Sequence, residues 1–239
     1  MKIIILAAGQ GSRMGVISKE IPKPLMPIGD SNVICRLIFQ LLKRNKNDIS
    51  IVVGYKSNQI KETITKAFPN ADINFIQNNA YKTDTNIYSV YLATKELQST
   101  SFMIFESDCI YSDSEIEKIC LSMDSPHSYW YTIGNFLENQ VGGILKSDSE
   151  LNVIDVDVVK KFESKYKEYK KLIGILKVHK SEYQAFTKLI CDYQKQNTRQ
   201  YYLQPWIENL KELPSKELPL DPNGASAFNN LIDYNSIIN

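Results

Sequence analysis

Short apolar runs alternate with amphipathic segments through the first half of the chain. An apolar run such as "KIIILAA" at 2–8 is typical of a strand that is buried on both faces. The segments between the runs space their apolar residues three and four positions apart, which predicts helices with one buried face. The predicted strands are 2–8, 48–55, 71–79 and 101–108, and the predicted helices are 32–44, 57–68, 85–97 and 113–123.

Strict alternation of strands and helices predicts an α/β fold, in which a mostly parallel sheet carries helices on both faces. Ligands of such sheets bind at the carboxyl ends of the strands. Here those ends are polar or glycine-rich, and they read "AAGQGSR", "GYK", "QNN" and "ESDC". We therefore expect the functional site along that edge of the sheet.

The pattern changes after residue 125, where strands separated by turns replace the alternation. The predicted strands are 128–136, 140–148, 151–159, 171–179, 216–222 and 225–230, and the predicted helices are 181–196, 203–213 and 231–238. No low-complexity linker divides the chain. We therefore expect a single domain over 1–239, with an α/β half at 1–125 and a smaller β-rich half with a closing segment at 126–239.

Composition narrows the classes of function. The net charge is +1, which argues against a protein built mainly to bind nucleic acid or an anionic membrane. No apolar run reaches the ~18 residues of a membrane span, so we expect a soluble, cytoplasmic protein. The four cysteines form no C-x-x-C pair and only two histidines are present, so neither a zinc site nor a disulfide framework is expected.

The first predicted strand runs into "ILAAGQGSRMG" at 5–15, a glycine-rich loop of the kind that holds phosphate. An NAD-binding loop needs G-x-G-x-x-G and an acid at the end of the second strand, whereas here the third glycine is one place late and that strand ends in "GYK". A Walker A loop needs Lys-Ser or Lys-Thr after its glycines, and neither follows. A tight strand-to-helix turn and a phosphate loop of another class remain.

Two basic residues favour a phosphate loop. Arg13 lies inside the loop, and Lys23 stands between two prolines in "IPKPLMPIG", which restrict the backbone around it. Loop amides, one guanidinium and one ammonium together form a suitable cradle for a triphosphate.

"LAAGQGSRMG" followed by "IPKPLMPIG" resembles the amino-terminal motif of the nucleotidyltransferases that make NDP-sugars and related CDP- or UDP-activated compounds. Three further segments are similar to the branch that acts on phosphocholine and aminoethylphosphonate: "FIQNNAYKTDTNIYSVYLA" at 75–93, "FESDCIY" at 105–111 and "FNNLIDY" at 228–234. The resemblance covers 1–111 well and 112–225 only loosely. It implies a Rossmann-like core, a first half that binds CTP and a second half that binds a small phosphorylated acceptor.

The same resemblance implies roles for individual residues. Arg13 would hold the β- and γ-phosphates that leave, and Lys23 would meet the α-phosphoryl group or the acceptor. Mg²⁺ would bind Asp108 and Asn229, the second of which offers a carbonyl oxygen without the charge of the aspartate that close relatives often carry. The remaining contacts to the nucleotide would come from Leu6, Ala7, Ala8, Gly9, Gly11, Ser12, Gln77, Asn78, Asn86, Ser89 and Glu106.

The acceptor-binding residues are less constrained by sequence. Tyr129 and Tyr131 are candidates because aromatic faces attract a quaternary ammonium, and strand alternation lets either this pair or Trp130 alone face one pocket. Lys161 best matches a lysine that sugar-using relatives carry near a strand end. The plainer interpretations are aromatic core packing and a solvated lysine.

Three functions follow as hypotheses. The first is a CTP-dependent cytidylyltransferase for a small phosphorylated or phosphonate head group. The second is a sugar-1-phosphate nucleotidyltransferase that makes an NDP-sugar for cell-surface polysaccharide. The third is a regulatory module that binds nucleotide without turnover. We expect a monomer or a homodimer in each case.

Overall fold

The computed structural model describes residues 1–238. The strands are β1 (Lys2–Ala7), β2 (Pro27–Ile28), β3 (Ser31–Asn32), β4 (Ile49–Val53), β5 (Ile73–Gln77), β6 (Phe102–Glu106), β7 (Cys109–Tyr111), β8 (Tyr129–Asn135), β9 (Gly142–Ser147), β10 (Val153–Val159), β11 (Lys170–Val178), β12 (Lys216–Pro219) and β13 (Ala225–Ala227). The α-helices are α1 (Val33–Leu42), α2 (Ser57–Ala67), α3 (Ile87–Thr94), α4 (Asp113–Ser122), α5 (Tyr183–Gln196), α6 (Gln204–Glu208) and α7 (Leu231–Ile238). Short 3₁₀ helices lie at Ser12–Lys19, Lys23–Leu25 and Ser164–Tyr166.

The central sheet has the order β10-β9-β11-β6-β1-β4-β5, and β8 joins β11 and carries β12 at its other edge. The strands β5, β4, β1 and β6 run parallel to one another. Antiparallel pairing begins where β11 meets β6 and continues through β9 and β10. The predicted α/β fold, with a parallel sheet and a smaller β-rich part, is confirmed.

The strand β1 shows why the sheet carries helices on both faces. Its alternate residues Ile3 and Ile5 belong to one apolar cluster, whereas Ile4 and Leu6 belong to another. Helices α1, α2 and α4 cover the first face, and α3, α5 and α6 cover the second. A continuous apolar run is therefore what this position requires, because neither face of the strand meets water. No helix within residues 1–238 is both long and apolar enough to cross a bilayer.

The strand order reverses beside β1. The chain leaves β1 toward β4 on one side, and later returns to place β6 on the other side. Such a reversal opens a crevice at the carboxyl ends of the two strands, which is where ligands of open α/β sheets bind. The polar segments after β1 and β6 face each other across that crevice.

The closing segment, residues 225–238, forms one wall of the crevice although it is distant in sequence from β1 and β6. Strand β13 pairs antiparallel with β7, so that Ala227 lies opposite Cys109. The amide of Phe228 donates to the carbonyl oxygen of Asp108 at 3.2 Å. The hydroxyl of Tyr234 on α7 donates to the carbonyl oxygen of Pro27. These contacts bring residues near 229 against the end of β6.

Candidate active site

The glycine loop after β1 turns sharply beside Lys23. Gly11 has φ +62°, in the left-handed region that favours glycine. A Cβ atom at this position would lie 3.1 Å from the Cβ of Lys23, so glycine also permits the close approach of the two segments. A Cβ at Gly9 would have no heavy atom within 4 Å, because that side of the loop opens into the crevice.

Lys23 joins the glycine loop to the end of β6. Its Nζ donates to Oδ2 of Asp108 at 2.5 Å, and the two side chains are only 12% and 21% exposed. The same ammonium lies 5.0 Å from the centroid of the Phe228 ring, a cation–π contact with the closing segment. Residues from three distant parts of the sequence thereby meet around one charge pair.

Arg13 is the exposed cation of the site. Its guanidinium has no hydrogen-bond or ion-pair partner among residues 1–238, although it lines both cavities described below. The planar group keeps five N–H donors available to an anion. It is therefore placed to bind phosphate oxygens that arrive over the glycine loop.

Two cavities meet in the crevice. The first, of about 210 Å³, lies over the glycine loop and is lined by Leu6, Ala8, Gly9, Gly11, Arg13, Lys23, Pro24, Thr85, Asn86, Ser89, Glu106, Ser107, Asp108 and Tyr201. The second, of about 130 Å³, lies among β8, β9, β10, β11 and segment 201–203. They share Arg13, Glu106, Asp108 and Tyr201. Two bound molecules would therefore come together at these four residues.

Asp84 organises the start of α3, and sequence reasoning missed it. Its carboxylate accepts from the side-chain amide of Asn78 at 2.8 Å, from the backbone amide of Tyr88 at 3.0 Å, and from the backbone amide and hydroxyl of Ser89 at 2.9 and 2.7 Å. Burial raises the pKa of Asp84, although these hydrogen bonds oppose the shift. The network fixes the loop that presents Asn86.

Glu106 lies at the junction of the two cavities. Nδ2 of Asn86 donates to its Oε1 at 3.4 Å, and a Cβ atom on the facing Gly174 would come within 2.6 Å of its Cβ. Burial and, to a smaller extent, the neighbouring Asp108 raise the pKa of Glu106 to about 7, although Lys23 and Lys171 oppose the shift. The side chain therefore sits in a poorly solvated position between charges of both signs.

Lys171 lines the second cavity in addition to Arg13, and it was not predicted. Its Nζ donates to the carbonyl oxygens of Gly143 at 3.2 Å and Leu172 at 2.9 Å. Burial lowers its pKa, while Glu106, Cys109 and Asp108 oppose the shift. Lys161, which was predicted to bind the acceptor, is exposed and lines neither cavity. It follows the end of β10, and Val158 is the residue of that strand that reaches the second cavity.

The predicted aromatic pair faces away from the second cavity. Tyr131 is fully buried, and its hydroxyl pairs with the Ser122 hydroxyl at 2.5 Å. Tyr129 pairs with Ser125 on the same side of the sheet at 2.9 Å, and its ring lies 5.5 Å from the Lys177 ammonium. Trp130 points the other way and lines the cavity. The assignment of Tyr129 and Tyr131 to the acceptor is corrected accordingly.

Asp108 and Asn229 both line the second cavity. The carboxylate of the first and the amide oxygen of the second are hard donors, which fit a magnesium ion that usually takes one or two carboxylates together with substrate phosphates. Residues 1–238 hold no group of three or more His, Cys, Asp or Glu side chains arranged for a metal. Nucleotide oxygens would therefore have to supply most of the coordination.

A family model described as the MobA-like NTP transferase domain matches residues 3–132 of the sequence, which is more than half of the chain. The chain belongs to this family. The predicted membership among nucleotidyltransferases is confirmed.

This NTP transferase resembles several characterised proteins. It is 34% identical over 113 residues to a 2-aminoethylphosphonate cytidylyltransferase of Lancefieldella rimae, which covers 47% of this chain and 45% of the relative. It is 31% identical over 159 residues to a choline-phosphate cytidylyltransferase of Haemophilus influenzae, covering 65% and 63%. The chain thus spans under half of the first relative's length. The CTP:phosphocholine cytidylyltransferase of Streptococcus pneumoniae has the same fold, with a TM-score of 0.82 at 23% identity over 99% of this chain and 96% of that one.

The transferase fold gathers most of the predicted nucleotide-binding residues around the first cavity. Four of them do not line it. Ala7 faces the opposite apolar cluster, Gln77 is exposed and accepts from Lys61, and Asn78 is 0% exposed with its amide bonded within the loop. Ser12 also does not line the cavity, although it begins the 3₁₀ helix that carries Arg13.

Proposed function

We propose that the protein is a CTP-dependent cytidylyltransferase, which transfers CMP to a small phosphorylated or phosphonate compound and releases pyrophosphate. The junction of the two cavities at Arg13, Glu106 and Asp108 carries this proposal, because nucleotidyl transfer requires two phosphate-bearing substrates to meet. The relatives from L. rimae and H. influenzae are both cytidylyltransferases, which supports CTP as the donor.

The first cavity suits the donor nucleotide. The triphosphate would lie over the glycine loop, where Arg13 would bind the leaving phosphates and Lys23 would neutralise charge on the α-phosphoryl group. Lys23 is held only 2.5 Å from Asp108, so its ammonium is already positioned before the substrate binds. Asn86, which the Asp84 network presents, would contact the sugar or base.

The acceptor would occupy the second cavity with its phosphate beside Arg13 and Asp108, and the rest of the molecule would extend toward Glu106 and Lys171. One of its oxygens attacks the α-phosphorus in line, a new P–O bond forms, and the bond to the β-phosphate oxygen breaks with its electron pair leaving on pyrophosphate. The attacking oxygen is already an anion, so no general base is required and positioning supplies most of the rate. Asp108 and Asn229 would hold Mg²⁺, which would neutralise triphosphate charge when bound.

Pyrophosphate release with each of the four common nucleoside triphosphates, Mg²⁺ and a panel of acceptors tests the proposal. We expect turnover with CTP and small phosphorylated or phosphonate acceptors. Lys23→Met should lower kcat at least about 10²-fold, because it removes a donor aimed at developing charge. Lys19→Met is the matched control, since this exposed lysine of the adjacent 3₁₀ helix lines neither cavity.

Two other results would replace the proposal. Turnover confined to sugar 1-phosphates would support the sugar-nucleotide alternative. If no acceptor in the panel gives pyrophosphate release while calorimetric titration still shows CTP binding, the result would support a regulatory module.

A further inference from the structure

Lys171 carries chemistry that the proposed transfer of CMP does not yet use. Two of its three N–H donors are taken by the carbonyl oxygens of Gly143 and Leu172. The third has no protein partner among residues 1–238, and the side chain lines the second cavity. The ammonium is therefore fixed in place while it keeps one donor for a ligand.

The charged residues that line the second cavity are two cations, Arg13 and Lys171, and two acids, Glu106 and Asp108, so the cavity carries no excess of negative charge. Asp108 is engaged by Lys23 at 2.5 Å, and Arg13 also reaches the nucleotide cavity. Glu106 and Lys171 remain as the pair that would face the rest of the acceptor. A permanent cation bound there would be attracted by Glu106 and repelled by Lys171. With no net negative charge beside it, the attraction would not offset the cost of removing the cation from water.

The aromatic walls of the cavity offer little to such a cation. Trp130 stacks on Tyr202 with ring centroids 6.0 Å apart and an interplanar angle of 12°. Trp206 packs edge-on against Trp130 with centroids 5.5 Å apart. Trp130 and Tyr202 each cover one face of the other, which leaves the exposed Tyr201 as the remaining aromatic wall. A single open ring is less than the aromatic cage that holds a quaternary ammonium.

We propose, on the basis of the proposed CMP transfer, that Lys171 and Glu106 select acceptors whose end remote from the phosphate is neutral and hydroxylated, and that they disfavour acceptors ending in a quaternary ammonium. A hydroxyl accepts from the free N–H of Lys171 and donates to the Glu106 carboxylate. A pair of neighbouring hydroxyls satisfies both side chains at once. A trimethylammonium group satisfies neither, because it has no donor proton and no lone pair.

The experiment compares glycerol 3-phosphate with phosphocholine as acceptors, using CTP, Mg²⁺ and pyrophosphate release. We expect wild-type kcat/KM to favour glycerol 3-phosphate by at least about tenfold, and Lys171→Met to reduce that ratio about tenfold while the KM for CTP stays within about twofold. Lys171→Arg should keep the wild-type ratio because it keeps the charge and the donors. Lys161→Met, which alters an exposed lysine outside both cavities, is the control and should change nothing.

A wild-type preference for phosphocholine would overturn the inference without any variant, as would a ratio that Lys171→Met leaves unchanged. Tryptophan fluorescence titrations with the two acceptors give a readout that does not need turnover, since Trp130 lines the cavity. If no acceptor is turned over with CTP, the proposed function fails. The binding preference still decides the inference in that case: tighter binding of glycerol 3-phosphate supports it, and tighter binding of phosphocholine refutes it.

Discussion

Two glycines of the same loop should fail in opposite ways when each is changed to alanine. Gly11 has φ +62°, and its added Cβ would lie 3.1 Å from Lys23. Gly9 has no positive φ, and its added Cβ would stand in open space within the nucleotide cavity. Gly11→Ala should therefore strain the folded protein, whereas Gly9→Ala should leave the fold intact and obstruct the ligand.

The size of each effect can be worked out from the backbone conformation at Gly11 and from the open space at Gly9. An alanine in the left-handed region costs about 1–2 kcal/mol, which for a chain of this length lowers Tm by roughly 2–8 °C. Gly9→Ala should leave Tm within about 1 °C and weaken CTP binding at least about tenfold, which corresponds to about 1.4 kcal/mol. Gly11→Ala should also lower kcat, because the crowded Lys23 shifts away from its position beside Asp108.

Thermal unfolding and calorimetric CTP titration of both variants decide the matter. A fall in Tm for Gly9→Ala larger than that for Gly11→Ala would refute the structural basis. Unchanged CTP affinity in Gly9→Ala would show that the nucleotide does not pass over this part of the loop.

Three further predictions concern single side chains. Asp108→Ala should abolish pyrophosphate release, and near-normal activity would remove Asp108 from the metal-binding role. Asn229→Asp should lower the Mg²⁺ concentration needed for half-maximal rate about fivefold, because it adds a charged ligand; an unchanged requirement in a Mg²⁺ titration would exclude residue 229 as a ligand. Tyr131→Phe should lower the free energy of unfolding by about 1 kcal/mol through loss of its hydrogen bond to Ser122, with acceptor kcat/KM unchanged; a denaturant titration and the kinetic assay together check both statements.

The helices and strands could be predicted from the sequence because the spacing of apolar residues matches the faces that are buried in this fold. The run at 2–8 is apolar throughout because β1 packs against helices on both faces. The strand order was not predictable in the same way. The pairing of β11 with β6 joins Ile175 to Phe105 across a long stretch of chain, and no local pattern encodes that contact.

The sequence located the edge of the site better than the roles of its members. Ser89 lines the first cavity, whereas Asn78 is fully buried. The carboxylate of Asp84 binds both side chains, and such a network depends on a loop geometry that spacing does not fix. Strand alternation correctly left either the tyrosine pair or Trp130 as the pocket wall. Which face of β8 meets the cavity depends on its pairing with β11, so periodicity alone could not choose.

Lys171 illustrates a different limit. A lysine in "KLIGILKVH" is the ordinary residue of a strand end, and only Gly174 three residues later hinted at a close approach of backbone to another group. The group that approaches closely is Glu106, because its Cβ would clash with any side chain at position 174. The glycine that admits Glu106 thus brings it to the cavity that Lys171 lines, and the pair emerges only when β11 is laid beside β6.

The closing segment contacts residues that are proposed to bind the phosphates and residues that are proposed to bind the metal. Phe228 contacts Lys23 with its ring and Asp108 with its backbone amide, and it packs in one cluster with Met14, the neighbour of Arg13. Any shift of this segment would therefore move the groups proposed for the metal, the α-phosphoryl group and the leaving phosphates together. The same segment carries Asn229, so the residues that contact Lys23 and pack beside Arg13 are continuous with a candidate metal ligand. Residues from 228 onward thus help to position the groups around the glycine loop, together with Asp108.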